Sequence, residues 1–140
     1  RERLEGLAGP TIEFLGYVPD EDLPDLMARC RVFMWPGEED FGISPIQAMA
    51  AGRPVIAYAA GGALETVIPG RTGALFYEQT AEAIIEVVEQ FDESALDPQA
   101  ISAFAAQFDT SEFKRKMQQF VEEKLEQRKR ELKTGLIADS

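Results

Sequence analysis

Glu39 and Gln47 stand eight positions apart, on either side of Phe41-Gly42-Ile43-Ser44-Pro45. A glycine here removes a side chain where an anion would otherwise meet a Cβ, and Pro45 suits an early helical position that needs no N–H. The amides of Ile43 and Ser44 then fall in a first helical turn. They have no partner within the helix, and the helix dipole favours negative charge beside them. Ser44 has two uses, as a helix cap or as a hydroxyl donor to a phosphate. A carboxylate such as that of Glu39 cannot share a phosphate, but it accepts hydrogen bonds from hydroxyls. A sugar joined to that phosphate is its natural partner, and Gln47, about one turn into the helix, can face a ribose diol. Two plainer readings stand beside these. The acidic run Glu38-Glu39-Asp40 also suits a solvated loop that complements a helix N-terminus, and Gln47 also suits simple exposure.

The elements that must position these residues follow from pattern. Residues 11–16 read as a short strand ended by a glycine, and Pro19-Asp20-Glu21-Asp22 as the acidic start of a helix with Leu23, Leu26 and Met27 on one face. Residues 31–35 form a second strand stopped by Pro36-Gly37, with Phe33 and Trp35 as sheet packing. A helix over 44–51 is stopped by Gly52. Residues 54–58 are a third strand whose unbroken apolar run fits a parallel strand covered on both faces. Gly61-Gly62 opens a short helical turn, and residues 72–77 make a fourth strand.

Helical patterns follow. One begins at Thr80 with Ala83, Ile84, Val87, Val88 and Phe91 on one face, and another covers 98–108. The last starts at Thr110 or Ser111 and carries Phe113, Met117, Phe120, Val121 and Leu125 on one side. The mixed charges of 122–130 fit a solvated helix face, and a frayed tail is expected beyond Lys133. The sum is an α/β chain: a partial Rossmann-like parallel sheet of about four strands, flanking helices and a C-terminal helical segment. In such a sheet ligands bind beyond the carboxyl ends of the strands, which is where residues 36–42 fall.

Composition narrows the chemistry further. At 140 residues the chain is long enough for one domain with a core. A net charge of −11 argues against nucleic acid as a partner, and any anionic ligand must rely on local N–H donors or a few placed cations. Arg53 follows a helix C-terminus and Arg71 sits in a Gly-Arg-Thr-Gly turn, so neither is an obvious ligand group. With no histidine and a single cysteine, a transition-metal site is excluded, and the commonest general base is missing. Cys30 cannot close an internal disulfide, in keeping with a reducing compartment, and reads as a small buried side chain. No apolar run approaches the ~20 residues of a membrane helix, and no signal peptide opens the chain. The first residue is Arg1, and an excerpt from a longer protein is the expectation.

Several segments in a fixed order add a family likeness. They are Phe14-Leu15-Gly16, Trp35-Pro36-Gly37, Glu39-Asp40-Phe41-Gly42, Ala48 through Ala57, Gly61 through Val67, and Gly70-Arg71-Thr72-Gly73. Together they make the chain resemble family 4 of the retaining, nucleotide-sugar-dependent glycosyltransferases of GT-B fold. The likeness is greatest to bacterial mannosyltransferases of polysaccharide and O-antigen synthesis. The resemblance implies that residues 1–109 belong to the C-terminal, donor-binding part of such an enzyme, with a C-terminal helix and tail over 110–140. It implies that Glu39 holds hydroxyls of the donor hexose as the catalytic residue. Phe41, Gly42, Ile43 and Ser44 would line the sugar-diphosphate site, and Gln47 would bind the ribose.

No metal or cofactor is implied beyond the nucleotide-diphosphate sugar itself. The hexose would pass, with retained configuration, to a glycan or lipid-linked acceptor held by an N-terminal domain. A cytoplasmic setting follows, with peripheral association at the inner face of the cell membrane left open. Two departures qualify the match. The family's E-x7-E motif ends here in Gln47, and its diphosphate-clamping Arg and Lys lie upstream of the matched region. The isolated chain is therefore expected to be inactive. A non-catalytic nucleotide-sugar-binding or regulatory module of the same fold is the alternative, and a sugar-nucleotide epimerase or a phosphorylase is a more distant one.

Overall fold

The computed structural model describes residues 2–138, with side chains to Leu132. Helices α1 (Glu2–Leu7) and α2 (Leu23–Arg29) precede the strand β1 (Phe33–Trp35), followed by α3 (Ile43–Ala50) and β2 (Val55–Tyr58). The one-turn helix α4 (Ala63–Thr66), the strand β3 (Gly73–Phe76) and α5 (Ala81–Gln90) come next. The chain closes with α6 (Pro98–Ala105), a 3-10 turn over Ala106–Phe108, and the long α7 (Thr110–Ala138). The sheet is three-stranded and parallel, in the order β1-β2-β3. Phe33 stands opposite Val55, which in turn stands opposite Gly73.

The central strand explains itself. Val55, Ile56 and Ala57 are buried on both faces, and an unbroken apolar run is what a covered parallel strand requires. On one face Val55 and Ala57 join Ala48, Met49, Ala63, Val67, Ile101 and Ala105 in the core, with Phe33, Trp35 and Phe104 packed against it. On the other face Met34 and Ile56 look toward Val88 and Phe91, across a groove of about 740 Å³. Cys30 is half-buried, and burial pushes its thiol up, in keeping with an unreactive packing residue.

Local chemistry sets the helix ends. Thr80 accepts from the Ala83 amide at 3.2 Å, Asp97 from Gln99 at 2.9 Å and Asp109 from Ser111 at 2.8 Å, so α5, α6 and α7 are started by side-chain caps. Gly52, in the left-handed region at φ 77°, terminates α3, and its amide donates to the Met49 carbonyl at 2.8 Å. A Cβ there would lie 3.0 Å from the Pro98 carbonyl oxygen, because α6 crosses close over that end of α3.

The sequence reading is corrected in one element. Residues 11–16 carry a strand-like pattern but join no ladder, so the sheet has three strands and not about four. Among the described residues the segment's only backbone bond is a local turn from the Ile12 amide to the Gly9 carbonyl. Ile12, Phe14 and Leu15 are exposed. A strand exists through its neighbour, and β propensity without a partner leaves extended coil. The expectation of fraying falls partly on residues 139 and 140, which lie outside the described residues.

Candidate functional site

Strands β1 and β2 are parallel neighbours, so the loops leaving their carboxyl ends emerge side by side. After Trp35 the chain runs through residues 36–42 into α3, and after Tyr58 it runs through Gly61-Gly62 into α4. The two loops meet backbone to backbone. The Gly62 amide donates to the Glu39 carbonyl oxygen at 2.8 Å. A Cβ on Gly61 would stand 2.2 Å from that same oxygen, and one on Gly62 would stand 2.6 Å from the Asp40 and Phe41 carbonyl oxygens. Only glycines permit this approach, and Gly61 also holds φ at 54°. The pair opens the α4 turn, as its glycines suggest, and it also backs the acidic loop.

Two buried threonines hold that turn from behind. The Thr66 hydroxyl donates to the Gly62 carbonyl at 3.0 Å, and the Thr72 hydroxyl donates to the Thr66 carbonyl at 3.2 Å. The Thr72 oxygen also accepts from the Ile68 amide at 2.8 Å. Both side chains are buried, so each bond satisfies a group that water cannot reach. The Gln79 amide, donating to the Pro36 carbonyl at 3.0 Å, ties the loop's other end to the segment after β3.

The first turn of α3 is open. Gly42 is its N-cap at φ 77° and ψ 75°, and no side chain caps it. Ser44 therefore does not cap the helix: it lies one residue inside, where its oxygen is past the capping position. Its hydroxyl and the amides of Ile43 and Ser44 make no hydrogen bond among the described residues. These open donors, with the dipole behind them, have the chemistry that suits an anion. Glu38, Glu39 and Asp40 are exposed, and no partner binds their carboxylates among the described residues. Phe41 is 48% exposed, and its ring meets that of Phe108 edge to face at 5.8 Å.

Gln47 follows Ile43 by one turn, so the two share a face of α3, and both are exposed. With Asp20, Leu23, Pro24, Met27, Ala50 and Ala51, Gln47 lines a groove of about 630 Å³ between α2 and α3. The groove was missed in the sequence, where Leu23 and Met27 registered only as the packed face of a helix. No local signal separates a core face from a groove wall.

The cations sit elsewhere. Arg53 donates to the Ala28 carbonyl at 2.7 Å and ties α3 to α2 at the far end of the helix. Arg71 lies 5.8 Å from the centroid of the Phe104 ring. The uncapped Ile43 and Ser44 amides supply positive potential at the open helix turn. No helix among the described residues is long and apolar enough to cross a membrane.

A parallel α/β layer with its carboxyl-end loops gathered over an uncapped helix start is a ligand-binding layer of the Rossmann type. Within that class the chain belongs to the family described as Glycosyl transferases group 1, whose profile matches residues 4–108. It is 52% identical over 46 residues to O-antigen chain mannosyltransferase B of Escherichia coli, a stretch covering 32% of this chain and 12% of that protein. It is similar in structure to sucrose-phosphate synthase from Thermosynechococcus elongatus, with TM-score 0.73 and 30% identity over 89% of this chain and 34% of the other. It is also similar to Anabaena Alr3699/HepE in complex with UDP and glucose, with TM-score 0.70 and 30% identity over 86% of this chain and 34% of the other. These neighbours are GT-B glycosyltransferases, and the fold matches the C-terminal half of that architecture. The chain thus spans about a third of each structural neighbour and far less of the mannosyltransferase.

Proposed function

We propose that residues 1–109 are the donor-binding part of a retaining glycosyltransferase that takes a hexose from a nucleotide-diphosphate sugar, and that residues 110–140 form its C-terminal helix and tail. The observation that carries this reading is the uncapped α3 turn beside an exposed, unpaired carboxylate loop. The Ile43 and Ser44 amides suit the distal phosphate, and Gly42 lets it approach the backbone. Glu39 is the catalytic group, gripping sugar hydroxyls as the bond to the diphosphate breaks. Ile43 and Gln47 continue the same face, so a ribose at Gln47 leaves the α2/α3 groove for the base. Phe41 closes the side of the sugar-diphosphate site.

The relatives support the finer choices. Mannose is the donor sugar that fits the Escherichia coli mannosyltransferase, while the Anabaena complex with UDP and glucose supports a nucleotide sugar in general. A glycan or lipid-linked acceptor, polysaccharide assembly and a cytoplasmic setting at the inner membrane face complete the proposal. The test is calorimetric titration of the complete protein with GDP-mannose and UDP-glucose, alongside turnover. Micromolar binding of either is the expected result, and no binding of any nucleotide sugar sinks the reading.

Gln47 gives the second reading its one specific support. A neutral amide offers one acceptor oxygen where a carboxylate offers two in charge-assisted bonds. Gln47→Glu in the complete protein should tighten donor binding by ~1–2 kcal/mol, about tenfold. Equal affinities by calorimetry would remove Gln47 from the ribose. Binding without turnover in the complete protein would instead favour a non-catalytic module.

The 140-residue chain alone should release no nucleotide diphosphate from either sugar in a coupled assay. Its described site offers backbone amides and a hydroxyl to the leaving diphosphate, while the basic pair implied by the family resemblance lies upstream of the matched region. Measurable release by the purified chain would overturn this.

A further inference from the structure

We infer that Phe108 is a positioning residue for the loop that carries Glu39, acting through Phe41; the functional part of this inference rests on the donor-site reading above. The loop over residues 38–41 is held on one side by backbone alone, through the Gly62 amide on the Glu39 carbonyl. On the other side the Phe41 ring is held edge to face against Phe108. Phe108 is itself fixed. Its ring meets Phe104 at 5.8 Å and 68°, and Phe104 packs on the core cluster while the Arg71 guanidinium lies over its outer face. A line of contacts therefore runs from the core through Phe104 and Phe108 to Phe41, the residue just before the Gly42 turn.

The geometry suits positioning and not mere packing. Edge-to-face pairs have a preferred angle, so a ring fixes its partner's orientation where an aliphatic side chain would not. Phe41 is half exposed, so little core burial depends on its contact with Phe108. What the contact does is hold a polar loop, with three exposed carboxylates, close against the start of α3. Phe108 also precedes by two residues the start of α7, which Asp109 caps, so the same ring joins the loop to the base of the long helix.

The test uses the complete protein with Phe108→Ala, the milder Phe108→Leu, Phe41→Ala and the double variant Phe41→Ala/Phe108→Ala. Cleavage after Glu38 and Glu39 by a glutamate-specific protease, mapped by mass, reads the loop without any ligand. Phe108→Ala should raise that cleavage about fivefold, and Phe108→Leu less. The GDP-mannose or UDP-glucose dissociation constant should rise about fivefold in the same variant, while thermal unfolding shows the protein folded. In the Phe41→Ala background, Phe108→Ala should add nothing to either readout. Unchanged loop cleavage in folded Phe108→Leu and Phe108→Ala overturns the inference, and so does full additivity with Phe41→Ala. If wild type binds neither sugar while loop cleavage still rises, the donor reading falls and the tether stands.

Discussion

Glu39→Gln in the complete protein should lower kcat/KM by about a hundredfold and leave thermal stability within about 0.5 kcal/mol. The asymmetry follows from where the side chain stands. Its carboxylate is exposed and has no partner among the described residues, so neutralising it strands no donor and opens no cavity. On the donor-site reading, the carboxylate acts only when a sugar is bound. A hydroxyl donating to a carboxylate is worth roughly 1.5–3 kcal/mol, and one or two such bonds that tighten at the transition state account for the loss. Steady-state kinetics with the nucleotide sugar, beside a melting curve, make the comparison. A loss under about threefold would return Glu39 to the solvated-loop reading.

Gly61→Ala should damage both fold and site. Its backbone stands at φ 54°, where a Cβ costs roughly 1–2 kcal/mol, and the new methyl would lie 2.2 Å from the Glu39 carbonyl oxygen. Backbone cannot swing aside as a side chain can, so either the 36–42 loop or the α4 turn must shift. A total destabilisation of about 3 kcal/mol is expected, with donor affinity down tenfold or more. Gly70→Ala supplies the control. Gly70 has φ 73° but nothing within 4 Å of its would-be Cβ, so it should show the conformational strain and keep donor affinity. Equal donor affinity in the two variants would remove the loop contact from the site.

Much of this arrangement was legible in the sequence, and the limits were physical. The apolar run of β2, the glycine stop of α3 and the helix start at Thr80 are local signals, and each element formed where its pattern placed it. The Gly42 to Ser44 turn was legible for the same reason, although Gly42 and not Ser44 takes the cap position. Residues 11–16 show the converse: a strand pattern says that a segment can pair, and pairing needs a neighbour. The loop contacts of Gly61, Gly62 and Phe108 left no trace, because each joins segments distant along the chain. A dipeptide of glycines looks alike whether it turns in open solvent or presses against a carbonyl.

The bare first turn of α3 carries a warning for anyone seeking a sturdier version of this protein. An asparagine at position 42 tolerates left-handed backbone and would place a polar side chain beside the open turn, a tempting change for a firmer helix. Under the proposed donor reading, that side chain would stand where the phosphate binds. A screen that selects on melting temperature alone would reward the change and discard the binding with it. On the donor-site reading, the missing increment of rigidity is what leaves the turn open to an anion.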